Sequence, residues 1–310
     1  MSTAADRVEP DETIARLDRL AALEAEVAAL EATAVTKART DFVAFCEFVL
    51  KDEATGQPIQ LHALQKSWIR HIQVCWSRGL VPWILAPFGS GKSSCLVIMM
   101  ALYALGNDPR LRIKIVSAND DIAKERLAVI RQYIESSAEY ALLFPDVVAM
   151  ATSTEAGKEK RWTKKAITLA RGTLAKDASV QAIGATSSAQ GGRADLLIFD
   201  DMNDLRNTII YPRLREQVWK NYTFLLSRLE ANGRAVGVMT RWHADDLFGR
   251  ITKDPDMANG YGFLVQSVSD DLQSIECEVL LGAGKGAKPT QRSRFEQLVE
   301  LWDTGALEGV

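Results

Sequence analysis

From residue 41 onward, short and almost continuously apolar runs alternate with longer segments whose apolar residues recur every three to four positions. The clearest runs are VPWILAPF (81–88), LRIKIVSA (111–118), KAITLARG (165–172), DLLIFDD (195–201) and GRAVGVMT (233–240). A run that is apolar throughout, rather than at alternate positions, belongs to a strand covered on both faces, as in the centre of a parallel sheet. Segments such as SSCLVIMMALYAL and DIAKERLAVIRQYIESS between them read as helices. The pattern predicts an α/β fold with a mainly parallel central sheet flanked by helices.

The two ends of the chain follow other rules. Residues 1–40 contain ETIARLDRLAALEAEVAALEATA, free of Gly and Pro, with Leu20, Leu23, Val27, Leu30 and Ala34 at alternating spacings of three and four. This predicts a helix with an apolar seam, started by Pro10 and Asp11. The seam either docks on the helix's own domain or pairs with another chain. Residues 256–310 are predicted to form a short C-terminal lid or linker extension, with a Gly- and Lys-rich stretch at 280–294 and a helix in FEQLVELWDTG. The main domain is placed at 41–255.

Composition narrows the picture only a little. The chain has 310 residues, 47% hydrophobic and 25% charged, with a net charge of −3. This is a globular balance, and any nucleic-acid contact must come from a local patch. Cys46, Cys75, Cys95 and Cys277 are scattered, with only three histidines in the chain, so buried thiols are expected rather than a zinc site or disulfide framework. No window is apolar enough for a membrane span and no secretory start is evident, so an intracellular protein without membrane partners is expected.

Chemistry enters at APFGSGKSS, residues 86–94, directly after the strand WILA. It meets the phosphate-loop pattern GxxxxGK[ST] except that Ala86 stands at the first glycine position. Gly89, Ser90 and Gly91 would turn backbone N–H groups toward phosphate oxygens. Lys92 would add charge at the β and γ phosphates, and Ser93, beside Ser94 at the helix start, a hydroxyl for Mg²⁺. A tight turn with an accidental GK is the alternative.

The stretch LIFDDMNDL, residues 197–205, then sets two adjacent aspartates against an apolar run. Two such charges need a cation to stay ionised together. A strand ending in Asp200 and Asp201 fits a Walker B element: Asp200 holds Mg²⁺ and Asp201 orients or deprotonates the attacking water. Glutamate is usual at the second position, so Asp201 is one methylene short. In GVMTRWHADDLFGRI, residues 237–251, a strand is expected to end at Thr240, where a polar side chain can sense the γ-phosphate. Asp245 and Asp246 would open the next helix and favour its dipole. A second metal site with His243 is the alternative.

LHALQ (61–65), IVSANDDIAKERLAVIR (115–131), GGRADLLIFDD (191–201) and TRWHADDLFGR (240–250) together resemble the large terminase subunit, the DNA-packaging motor ATPase of tailed bacteriophages. The resemblance covers about residues 40–255. It implies a P-loop NTPase core that uses ATP and Mg²⁺ to move double-stranded DNA. Gln65 would belong to the adenine-reading motif, Lys92 and Ser93 to phosphate and metal binding, Asp200 and Asp201 to the metal and the catalytic carboxylate, and Thr240 to coupling. It also implies a homo-oligomeric ring, a portal or procapsid, a small terminase subunit, and the cytoplasm of a bacterial host. An arginine finger is expected, for which Arg126, Arg131, Arg161, Arg171 and Arg193 compete, Arg193 being placed to act on the γ-phosphate or on DNA. Large terminases continue into a nuclease domain; only about 55 residues follow the motor core here, so no nuclease activity is expected of this chain. KEKRWTKK (158–165) is the best DNA patch, with Lys158, Lys160, Arg161, Lys164 and Lys165 around Trp162. A non-viral helicase, or a nucleotide-binding switch without turnover, is the competing reading.

Overall fold

The computed structural model describes residues 10–52, 54–154, 157–160, 162–171, 176–187, 191–268 and 275–281. The helices are α1 (Pro10–Thr40), α2 (Phe42–Val49), α3 (Ala63–Ser77), α4 (Met100–Asn107), α5 (Asp120–Ser136), α6 (Ala138–Leu143), α7 (Leu214–Leu226), α8 (Leu247–Lys253) and α9 (Pro255–Ala258). The strands are β1 (Val81–Leu85), β2 (Ile113–Ser117), β3 (Ala151–Thr154), β4 (Gly157–Lys160), β5 (Ala166–Ile167), β6 (Val180–Gly184), β7 (Ala194–Asp200), β8 (Leu229–Met239), β9 (Tyr261–Val268) and β10 (Ile275–Leu281). Eight of them form one sheet in the order β10-β9-β1-β8-β7-β2-β6-β5, and β3 and β4 form a separate hairpin. Pairing is parallel from β9 to β6 and antiparallel only at the two edges.

Successive side chains of a strand face opposite ways, and β7 shows the result. Leu196 and Ile198 enter one buried cluster with Phe45, Trp68, Leu102 and Ile130. Leu197 and Phe199 enter the other with Trp83, Tyr222, Met239 and Phe263. Both faces of the sheet are therefore apolar, which is why the central strands read as unbroken hydrophobic runs.

The structure differs from the sequence-based expectations in several places. The run at 165–172 contributes only the two-residue edge strand β5, and the inner strand beside it is β6, whose alternating VQAIG carries a weaker signal. The sheet also continues past residue 255: β9 joins β1 in parallel and β10 pairs with β9 at the edge, so Tyr261–Val268 and Ile275–Leu281 are strands where a lid or linker was expected. The helix predicted in FEQLVELWDTG lies outside the described residues. The helix after the phosphate loop opens with a π-helical turn, Ser94–Met99, before α4.

Helix α1 does not dock along its length. Residues 16–34 are all exposed, with Leu20, Leu23, Val27 and Leu30 each more than half exposed, and only Val35 and Ala38 reach the core. The three cysteines with described side chains, Cys46, Cys75 and Cys95, are buried free thiols. Among the described residues no helix is long and apolar enough to cross a membrane.

Candidate nucleotide site

Parallel register assembles the site. Leu85 pairs with Met239 and Asp200 with Val238, so β1, β8 and β7 end side by side. The residues that leave those ends are Ala86, Thr240 and Asp201. Ala86 N donates to Met239 O at 3.1 Å and Asp201 N to Val238 O at 2.9 Å, which extends the ladder by one step on each side. Sequence-distant motifs thus meet because their strands are neighbours in space.

The phosphate loop turns through Gly89 (φ 74°) and Gly91 (φ 81°), a backbone region that side chains disfavour. A Cβ on Gly91 would lie 3.0 Å from Gln65 Nε2. Gln65 itself is fixed at both ends of its amide: it accepts from His62 N at 2.9 Å in a capping box and donates to Ser90 O at 3.3 Å. It therefore braces the phosphate loop, a position that its place in the sequence did not specify.

Lys92 is buried, and its ammonium lies 3.1 Å from Asp201 Oδ2 and donates to Thr240 Oγ1 at 3.1 Å. Asp201 stands at φ 44°, the left-handed region that Asp tolerates better than most residues. Its other oxygen accepts from Thr240 N at 2.7 Å. Burial pushes the Asp201 carboxyl above its ordinary range; Lys92 pulls it down and Asp200 pushes it up. Asp200 is fully buried. It accepts from Ser93 Oγ at 2.8 Å on one oxygen and from Arg126 Nε at 2.8 Å on the other. Each carboxylate of the adjacent pair thus has a cation of its own, Arg126 for Asp200 and Lys92 for Asp201.

The expected coupling segment is also built locally. Thr240 Oγ1 donates back to Ala86 O at 3.3 Å. Strand β8 ends at Met239, and Asp246 caps α8 by accepting from Gly249 N at 3.0 Å, while also receiving Trp242 N and Arg241 Nε. Asp245 is not a first-turn residue; it pairs with Arg250, Arg215 and Lys253. His243 Nδ1 accepts from Asp245 N at 2.9 Å, and no cluster of three or more metal-ligating side chains occurs among the described residues. The loop also brings Trp242 edge-on to Phe88 at 5.6 Å, and Phe88 lies 5.1 Å from Lys92 Nζ. Neither aromatic stood out in the sequence.

The arginines separate clearly. Arg193 precedes β7, at the end opposite Asp200 and roughly 20 Å from it at the rise of an extended strand, where it pairs with Glu230. It does not reach the site of its own chain. Arg171 is buried and donates to Ser179 Oγ, just before β6 and again at the far edge. Arg131 pairs with Glu135 along α5, and Arg161 lies outside the described residues. Of the four described, Arg126 alone reaches the acidic pair. In the proposed DNA patch, Lys165 is tied to Asp120 at 2.6 Å, and Trp162 is half-buried against the core, donating to Thr168 O. Lys164 is exposed, while the side chains of Lys158 and Lys160 lie outside the described residues.

No protein-family model matches the sequence, and no curated protein does. Among solved structures the chain is similar to the HK97 bacteriophage large terminase, at 15% identity and a TM-score of 0.50, over 87% of this chain and 52% of that one. The likeness is one of fold, a mainly parallel α/β sheet flanked by helices. A complex of S. cerevisiae Dbp5 that includes ADP is also similar, at 11% identity and a TM-score of 0.41, over 76% of this chain and 52% of that one. This chain spans about half the length of each.

The residues fit a magnesium nucleotide. Ser93 Oγ and Asp200 Oδ1 place two hard oxygen donors 2.8 Å apart at the end of the phosphate loop, the donor type Mg²⁺ takes. The buried Lys92 ammonium and the glycine turns supply the phosphate side.

Proposed function

We propose that this chain is an ATP-hydrolysing motor that moves double-stranded DNA, acting as the packaging ATPase of a tailed bacteriophage. One observation carries the catalytic part: Lys92, Ser93, Asp200, Asp201 and Thr240 converge at the ends of three adjacent parallel strands. The likeness in fold to a phage large terminase supports the choice of motor.

In this reading Lys92 leaves Asp201 for the phosphates when nucleotide binds. Asp201 is then free to accept a proton from the attacking water, aligned by its bond from Thr240 N. Ser93 and Asp200 would hold Mg²⁺, which would supply charge neutralisation for the phosphates. Thr240 loses or regains the Lys92 ammonium as the phosphates come and go, and passes that change along 241–246 to Asp246 and α8. Gln65 reads the adenine side only if it releases Ser90 O or His62 N.

The motor would act as a ring of copies, with double-stranded DNA in contact with basic residues such as Lys164, docked on a portal or procapsid and supplied by a small terminase subunit in the host cytoplasm. Arg193, remote from its own site, would have to leave Glu230 to serve a neighbouring copy. The ion pair that ties Asp201 to Lys92 favours one second reading, a nucleotide-binding switch that turns over only with a partner.

Phosphate release from ATP and Mg²⁺, with and without double-stranded DNA, tests both. Turnover that DNA stimulates, and that Lys92→Ala and Asp201→Asn abolish, supports the motor. Binding without turnover under every condition leaves the switch.

A further inference from the structure

Asp200 carries two hydrogen bonds of unequal kind. The Ser93 hydroxyl on Oδ1 is neutral and, in the ATPase reading on which this inference rests, must turn its oxygen toward a cation. The Arg126 guanidinium on Oδ2 is charged, at 2.8 Å, and addresses the oxygen that faces away from Ser93. With Asp200 fully buried and Lys92 committed to Asp201, no other charged group among the described residues bonds this carboxylate.

The arm that carries Arg126 is itself rooted. Asn119 caps α5 by accepting from Asp121 N and Ile122 N. Asp120, in the first turn, accepts from Gly184 N at 2.9 Å and Ser187 Oγ at 2.8 Å and pairs with Lys165. A Cβ on Gly184 would lie 2.6 Å from Asp120 N, so helix and strand meet as closely as backbone allows. Arg126 reaches across from this clamped helix to the end of β7.

We propose that Arg126 is the positioning residue for the Mg²⁺ carboxylate, holding Asp200 by Oδ2 so that Oδ1 stays aimed at the place Ser93 marks for the metal. It acts through Asp200 and does not touch the nucleotide. Partners of this type orient metal ligands, and their loss typically costs about 10- to 100-fold in metal affinity.

The test is binding of a fluorescent ATP analogue to the full chain at a series of Mg²⁺ concentrations, for the wild type, Arg126→Gln and Arg126→Lys, with thermal melting to check the fold. In Arg126→Gln the Mg²⁺ needed for half-maximal binding should rise about tenfold or more, while affinity for the Mg²⁺-free analogue stays within about twofold. Arg126→Lys, which keeps the charge but not the planar geometry, should fall between. A Mg²⁺ requirement that is unchanged or lower in Arg126→Gln overturns the proposal, the lower value because it would make Arg126 a plug that competes with the metal. Should Arg126→Gln fail to fold, Arg126→Lys decides, and an unchanged requirement there also overturns it. A wild type that binds no nucleotide at any Mg²⁺ sinks the ATPase reading itself; normal wild-type binding with indifferent variants sinks only the role of Arg126.

Discussion

Lys92 and Asp201 face each other across the end of the phosphate loop, Nζ to Oδ2 at 3.1 Å, and the Thr240 hydroxyl accepts from the same ammonium. The lysine that should hold phosphates is held by the carboxylate that should activate water. In the proposed mechanism, nucleotide binding and release of the base are one event. Asp201→Asn should keep nucleotide binding and lower turnover at least ~100-fold, the loss expected for a general base. Lys92→Ala should weaken binding itself at least about tenfold. Equal loss of binding in both variants would contradict this division of roles.

Gly91 tests the brace behind the loop. Gly91→Ala meets an unfavourable φ of 81° and a Gln65 Nε2 only 3.0 Å from the new methyl. It should cost about 1 kcal/mol or more in stability and weaken nucleotide binding. Adding Gln65→Ala removes the contact but not the backbone strain, so the pair should recover only part of the loss, as read from melting curves and binding titrations.

Gly237 controls the far side of the sheet. A Cβ there would lie 2.3 Å from the Trp83 ring, which stacks on Phe199, the residue before Asp200. Gly237→Ala should destabilise by about 1–3 kcal/mol, the usual cost of overfilling a packed core. Denaturant unfolding measures it, and an unchanged midpoint would contradict the close packing.

His71 gives a pH signature. It is buried, with Nε2 3.2 Å from Gly262 O, and burial lowers its pKa to about 4. The unfolded chain takes up this proton near pH 6.5. Its contribution to stability is therefore complete above about pH 6.5 and lost as pH falls toward 4, amounting to about 3 kcal/mol across that window. His71→Gln should flatten the slope of unfolding free energy against pH between those values.

Helix α1 supplies the opposite kind of test. Since residues 16–34 are exposed throughout, replacing Leu20, Leu23, Val27 and Leu30 together by Ala should change stability by no more than about 0.5 kcal/mol, as for surface changes generally. A large drop in melting temperature would mean that the seam packs against something in solution.

The sequence by itself determined whatever is local. The phosphate loop, the acidic pair and the strands β1, β2, β7 and β8 were legible because a turn's glycines, a loop's lysine and a doubly covered strand each leave their mark on contiguous residues. The strands toward the two sides of the sheet escaped, β5 because it is two residues long and β9 and β10 because they lie past an apparent change of composition. What only the tertiary structure decided is pairing across the chain: that Gln65 braces Ser90, that Phe88 meets Trp242, and that Arg126 reaches Asp200 while Arg193 lies at the opposite end of β7. Five arginines look alike in one dimension. Which of them reaches the acidic pair depends on strand order, parallel register and the direction in which α5 crosses the sheet, none of which any short stretch of residues encodes.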